Sequence, residues 1–149
     1  MIKKIPQSEI LVVWAKKLWP GRQEIKSHSA MCFLKGHDMR NTKYDATFFG
    51  YYVESVLVGV NSGHGTVNGY RSRGLWVDEQ YRGQGIGKKL LLATIEQGDR
   101  EGFDMVWSLP RQTSWPAYAS AGFVLASDWH ATDTSDSNAY CQKSLTTFK

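Results

Sequence analysis

Apolar and polar positions alternate with two different periods along this chain, and the change of period organises it. In SEILVVWAKKL, Ile10, Val13, Trp14 and Leu18 recur at helical spacing, with Ser8 placed to cap the helix and Pro20-Gly21 to stop it. QEIKSHSAMCFLKG is weakly amphipathic and reads as a second short helix ending at Gly36, followed by the polar loop HDMRNTKYD. From Ala46 the period shortens. ATFFGYYV, SVLVGVNS and GYRSRGLWV are rich in β-branched and aromatic residues and are separated by Glu54-Ser55 and by SGHGTVNG. They predict three successive antiparallel strands.

A helix returns after DEQYRGQG, with Ile86, Leu90 and Ala93 on one face, Leu91, Leu92 and Ile95 widening it, and a fade at Gly98 to Gly102. FDMVWSL is a strand apolar enough for burial on both faces. SWPAYASAGF then allows a short helix, because Pro116 is tolerated in a first turn and Gly122 can adopt the left-handed conformation that ends it. FVLAS and NAYCQKSL are the last strands, flanking a polar loop from Asp128 to Ser137. No repeat, linker or low-complexity segment divides the order, so one α/β domain over residues 1–149 is expected.

Composition narrows the classes. Apolar residues make up 42% and charged residues 21%, a balance of folded domains rather than disordered chains. MIKKIPQSEI has two lysines but no apolar stretch of leader length, and ILVVWA is too short to cross a bilayer, so a cytoplasmic protein without membrane association is expected. Cys32 and Cys141 stand far apart without metal-ligand spacing and read as free thiols; no metal is expected. Net charge is +4, but nine of the 18 basic residues precede Ala46 and none falls between Arg111 and Lys143. The basic residues form no stripe and no nucleic-acid motif, which argues against nucleic acid as a partner.

The stretch that carries chemistry is DEQYRGQGIGKKLL. A strand, a glycine-rich turn and a helix N-terminus together present main-chain N–H groups that suit a phosphate. Two nucleotide loops are excluded by spacing. A P-loop would need glycine at Arg82 and Ser or Thr at Lys89, and the dinucleotide fingerprint counted from Gly83 and Gly85 would need glycine at Lys88. What remains is Arg-x-x-Gly-x-Gly, formed by Arg82, Gly85 and Gly87. A glycine loop alone serves packing as often as binding.

That pattern resembles the coenzyme A pyrophosphate loop of the GNAT superfamily of N-acetyltransferases, and YASAGF, Tyr118 to Phe123, resembles the family's Tyr-x-x-x-Gly-Phe near the C-terminus. The resemblance covers roughly Thr47 to Leu145. It implies a mixed, mostly antiparallel central sheet flanked by helices, with a V-shaped splay between the family's fourth and fifth strands, here the strand ending at Val77 and the one from Met105 to Leu109. It further implies that acetyl-coenzyme A binds with its pantetheine arm along Leu75, Trp76 and Val77. Its pyrophosphate would lie on Arg82, Gly83, Gln84, Gly85, Ile86, Gly87 and Lys88, and the thioester carbonyl would meet a main-chain N–H near Leu75. Lys88 or Lys89 can add charge, with Lys88 favoured.

Direct transfer to an amine requires a neutral nitrogen, a stabilised oxyanion and a proton for the leaving thiolate, and no enzyme nucleophile. Tyr118 occupies the family's general-acid position; the alternative is a tyrosine that only packs its helix on the sheet. No carboxylate in GYRSRGLWV supplies a base, and His64, Asp78, Asp104 and Ser108 are the weaker candidates. Three departures from the family's pattern bear on the site: Glu79 stands where the family often has Pro, Arg111 where it often has Asn, and Pro116 lies two residues before Tyr118. The acidic loop with Asp128, Asp133 and Asp136, beside Trp129 and His130, favours a cationic amine acceptor such as a polyamine, an aminoglycoside or a protein lysine. A noncatalytic acyl-coenzyme A binding module is the alternative function. Exposed strand edges admit a homodimer.

Overall fold

The computed structural model describes residues 1–18, 46–130 and 137–145. The second helix, the polar loop after it, Cys32, Asp133 and Asp136 lie outside them. The described chain runs β1 (Ile2–Lys4), α1 (Gln7–Val13) and a π-helical turn at Trp14–Leu18. β2 (Thr47–Val53), β3 (Val56–Thr66) and β4 (Gly69–Val77) follow, then α2 (Ile86–Arg100), β5 (Met105–Ser108), α3 (Trp115–Ser120), β6 (Val124–Leu125) and β7 (Cys141–Ser144). Seven strands form one sheet in the order β1-β2-β3-β4-β5-β7-β6, antiparallel except where β4 meets β5. This is the mixed, mostly antiparallel sheet that the resemblance implies. No helix among the described residues is long and apolar enough to cross a membrane.

Two short connections shape the sheet. Glu54 and Ser55 both have positive φ, 48° and 70°, and join β2 to β3 in the tight hairpin expected there. The next turn is shorter than the sequence suggests. SGHGTVNG has the composition of a loop, yet β3 continues through His64 to Thr66, and only Val67 and Asn68 turn back into β4. The glycines in that segment serve close approach: a Cβ at Gly63 would lie 2.3 Å from the Tyr70 ring. His64 is consequently a fully buried strand residue and not a turn histidine.

α2 covers one face of the sheet, with Ile86, Leu90, Leu91, Thr94 and Ile95 buried. Leu92 is 42% exposed, because its position in the helix turns it away from the sheet. Gly98 does not end the helix; it is buried against Tyr70, and α2 continues to Arg100 before Gly102 leaves it with φ of 89°. α1 lies against a separate cluster made by Ile5, Ile10, Trp14 and Val60. Its N-cap is Pro6, whose carbonyl accepts from the Glu9 N–H at 3.1 Å, so Ser8 sits inside the first turn and does not cap it. Val58 and Val60, two apart, join different clusters because the β2–β3 register shifts between Tyr51 and Tyr52.

Buried polar groups lock the helix to the sheet. Asn61 donates from Nδ2 to Ser72 Oγ and to Thr94 Oγ1, both at 2.9 Å, while Thr94 donates back to the Leu90 carbonyl. β1 and the narrow extent of β6 are the remaining differences from the sequence-based reading. β1 joins the edge of the sheet opposite Phe49 to Tyr51, and within FVLAS the strand β6 spans only Val124 and Leu125.

Candidate active site

β4 and β5 pair only at Tyr70–Val106 and Arg71–Trp107. Beyond that point β4 runs on to Val77 while β5 turns toward β7, and the two strands part. The hydroxyl of Ser108 donates to the Ser72 carbonyl at 2.6 Å and ties the vertex of the opening. A second irregularity lies just above. Val60 pairs with Trp76 and Ser62 with Arg73, so Gly74 and Leu75 together oppose Asn61 in a β-bulge. A bulge takes a main-chain group out of the ladder, here at the mouth of the splay. Trp14 fixes this bulge from the α1 side by donating from Nε1 to the Gly74 carbonyl at 2.8 Å. Gly74 has φ of 82°, and a Cβ there would fall 2.4 Å from the Trp14 ring. Only glycine fits this contact.

The opening holds a cavity of about 220 Å³. Gly74, Leu75, Ser108 and Tyr118 line it, as do Arg71, Arg73, Arg111 and Asn138. Tyr118 comes from α3, whose first turn accommodates Pro116 as the sequence predicts, so the proline does not take the tyrosine away from the cavity. Its ring packs edge-on against Phe123 at 5.4 Å, and only 3% of the residue is exposed. Burial pushes its phenol up to about 12, against the smaller opposing effects of the Ser108 hydrogen bond and the Arg71 charge. Cys141, in the same apolar cluster, is likewise pushed up to about 12 by burial, which leaves it an unreactive thiol at neutral pH.

The glycine loop sits at the other end of β4. Asp78 accepts from the Gln80 N–H at 2.9 Å and starts a 3₁₀ turn over Glu79–Tyr81, so the chain reverses without the family's proline. Arg82 folds back and donates from Nε to the Val77 carbonyl at 3.0 Å. Gly83 and Gly85 have φ of 80° and 82° and open space where a side chain would stand. Gly87 has a different reason to be glycine. It is buried in the first turn of α2, where a Cβ would lie 3.3 Å from that of Ala117. The first N–H groups of this 15-residue helix have no intrahelical partner and, with the exposed Gly83 to Gly85 turn, suit an oxyanion. Lys88 and Lys89 are both exposed beside it, and Lys89 leans over the Tyr51 ring at 5.7 Å.

Of the predicted site residues, Leu75 and Tyr118 line one cavity, while the loop from Arg82 to Lys88 follows the far end of β4 and does not line it. The weaker candidates separate. Of His64, Asp78, Asp104 and Ser108, only Ser108 lines the cavity. Asp78 caps its turn, and Asp104 is exposed with its carbonyl accepting from the Leu145 N–H at 2.8 Å. Trp129 packs edge-on against Trp115, and His130 Nδ1 lies 2.9 Å from the Asp128 carbonyl; neither lines the cavity. Arg71 and Arg73 were missed as site residues. The signal was present in GYRSRGLWV, where alternate positions of one strand carry the same charge to the same face.

A sequence model described as the acetyltransferase (GNAT) family matches residues 11–123. The chain belongs to the GNAT acetyltransferase family. Solved structures share this GNAT fold at low identity. Escherichia coli ElaA superposes with a TM-score of 0.71 at 16% identity, over 96% of this chain and 99% of that one. The ribosomal-protein-S18-alanine N-acetyltransferase of Escherichia coli gives 0.67 at 14% identity, over 100% and 96%. A structure from Bacillus anthracis str. Ames in complex with acetyl coenzyme A gives 0.60 at 14% identity, over 70% and 64%. No curated protein matches the chain at a significant level.

Proposed function

We propose that this GNAT protein transfers the acetyl group of acetyl-coenzyme A directly to an amine. One observation carries the reading: a protonated, buried phenol and the bulged main chain at Leu75 line the same cavity, at the point where β4 leaves β5. The glycine turn and helix N-terminus lie at the far end of the same strand. Acetyl-coenzyme A supplies the activated acyl group as a thioester. Main-chain N–H groups from Arg82 to Lys88 hold its pyrophosphate, with Lys88 adding charge. The strand from Leu75 to Val77 orients its pantetheine arm.

The chain's own groups then manage charge. A main-chain N–H near Leu75 stabilises the oxyanion that develops on the acyl carbonyl. The amine nitrogen forms its bond to the acyl carbon as the carbon–sulfur bond breaks. Tyr118 gives its proton to the departing sulfur, and the proton lost by the nitrogen returns to the phenolate through water, so the enzyme ends unchanged. Family membership supports this reading, as do a neighbour bound to acetyl coenzyme A and another that is a protein-alanine N-acetyltransferase.

Amine-dependent release of coenzyme A thiol from acetyl-coenzyme A is the test. Turnover with at least one class of amine is expected. Tight coenzyme binding without turnover of any amine would instead identify a noncatalytic acyl-coenzyme A binding module.

A further inference from the structure

We propose that the acceptor is anchored by an oxyanion: it is a small amine that also carries a carboxylate or phosphate group, held by Arg71, Arg73 and Arg111. This rests on the reading of the cavity as the transfer site.

Three guanidinium groups reach one small space by different routes. Arg71 and Arg73 take alternate positions on β4, on the side of the strand away from Tyr70 and Ser72. Arg111 arrives after β5 and bridges to Asn138. All three line the cavity beside Ser108 and Tyr118, and no aspartate or glutamate is among the described residues that line it. Aromatic rings hold two of the cations in place. The Arg71 guanidinium lies 4.8 Å from the Trp107 ring centre and that of Arg73 lies 5.6 Å from the Trp14 ring centre. A guanidinium held over an aromatic ring can still donate from its edge to a carboxylate or phosphate.

Arg71 also has a polar atom left over. Its Nε is buried without a hydrogen-bond partner, an arrangement that costs free energy. Arg111 makes a long bond from Nη2 to the Leu18 carbonyl, 3.4 Å, which uses one of its five donors. A polyamine entering here would bring at least a second positive charge against the arginines, and a protein lysine would bring an ammonium with no anion beside it to offset it. An amine with its own oxyanion cancels part of that charge and leaves enough to disfavour the ammonium form of its nitrogen. The same arginines therefore account for a transfer site with no carboxylate base among the described residues that line it. The cavity, about 220 Å³, is smaller than the roughly 300–1,000 Å³ of common ligand pockets, in keeping with a small acceptor.

Matched amines that differ only in the anion provide the experiment. With acetyl-coenzyme A, the intact protein is assayed for thiol release with L-alanine, β-alanine and ethylamine, with 2-aminoethyl phosphate and ethanolamine, and with spermidine. An oxyanion-bearing amine should exceed its anion-free match, and spermidine, by about tenfold or more in kcat/KM. The carboxylate and phosphate arms distinguish the two anions. Arg111→Gln should remove about ten- to a hundredfold of that preference while leaving the KM for acetyl-coenzyme A unchanged. Arg73→Gln is the second variant if the first does not fold.

Preference for ethylamine or spermidine, or a preference unchanged in both arginine variants, would overturn the proposal and leave acetyl transfer standing. If no amine is turned over, tryptophan fluorescence with coenzyme A present compares N-acetyl-β-alanine with N-ethylacetamide. Selective binding of the anionic product then upholds the anchor and counts against the transfer reading. Equal or absent binding overturns the anchor itself.

Discussion

Replacing Tyr118 with phenylalanine removes one oxygen atom from the cavity and separates the two roles that a buried tyrosine can hold. The ring keeps its edge-on contact with Phe123 and its place in the cluster with Leu91, Val106 and Cys141, so the fold should persist. Loss of the phenol's hydrogen bond with Ser108 should cost about 0.5–1.5 kcal/mol of stability. The catalytic loss is larger. General acid catalysis contributes about 10²–10⁴ in rate, or roughly 3–5 kcal/mol of barrier.

A phenol pushed up to about 12 would be a poor acid for an ordinary thiolate, whose pKa lies near 8.5. Burial narrows the gap, because it raises a thiol as it raises a phenol: Cys141, in the same buried cluster as Tyr118, is itself raised to about 12. A departing thiolate that is desolvated beside Tyr118 is a stronger base than in water, which favours proton transfer from the phenol. With saturating amine, the thiol-release assay should show kcat reduced by at least a hundredfold in Tyr118→Phe. Acetyl-coenzyme A affinity should change by less than about threefold. A kcat within about twofold of the parent would refute the acid; a loss confined to coenzyme affinity would make Tyr118 a packing residue.

Gly87→Ala adds a methyl group 3.3 Å from Ala117 on the helix that carries Tyr118. Its helical φ gains about 1 kcal/mol of propensity that offsets the crowding, so melting should move little while kcat falls several-fold; a loss only in coenzyme affinity would contradict the packing role of Gly87. Gly74→Ala meets both the Trp14 ring and a left-handed backbone and should cost roughly 2–5 kcal/mol, read as a lower urea midpoint. An unchanged midpoint would mean the bulge is not fixed by Trp14. Alkali tests the buried thiol and phenol together. Cys141 and Tyr118 stay protonated to about 12 when folded but ionise near 9 and 10 when unfolded, so above pH 9 the unfolded chain binds fewer protons and stability falls as pH rises. Between pH 9 and 11 these two groups contribute roughly 4 kcal/mol of the loss, to which the phenol of Tyr70, also raised by burial, adds, and Cys141→Ala should remove most of the loss between pH 9 and 10; a flat profile would refute this account of their burial.

The elements that follow one strong period were legible in the sequence. Aromatic and β-branched runs marked β2, β4 and β5, and the apolar face of α2 marked the helix behind the glycine loop. Elements that depend on a distant partner were not. β1 is a three-residue strand with two lysines, defined only by pairing to Phe49 through Tyr51. The second half of β3 looked like a turn because Gly63 makes room for Tyr70, a contact that local sequence does not carry. The site divided in the same way. The loop and Tyr118 lie in compact motifs, whereas the cavity brings Arg71 and Arg73 together with Arg111 only because β4 parts from β5 and the chain returns through Asn138. Gly87 was recognised as necessary, but as a backbone donor; its packing against Ala117 needed the placement of α3.

Coenzyme recognition is tested most directly by calorimetric titration of the intact protein and of Gly85→Val with acetyl-coenzyme A and with S-acetylpantetheine, which has the thioester arm but no pyrophosphate. The intact protein should bind acetyl-coenzyme A at one site and S-acetylpantetheine at least about a hundredfold more weakly, since the charged hydrogen bonds to the loop are lost. Gly85, with φ of 82°, cannot take a β-branched side chain without moving the turn, so Gly85→Val should weaken acetyl-coenzyme A by about tenfold or more and leave S-acetylpantetheine unaffected. A folded protein that binds neither ligand, or a variant that loses both equally, would contradict a pyrophosphate held on the loop from Arg82 to Lys88.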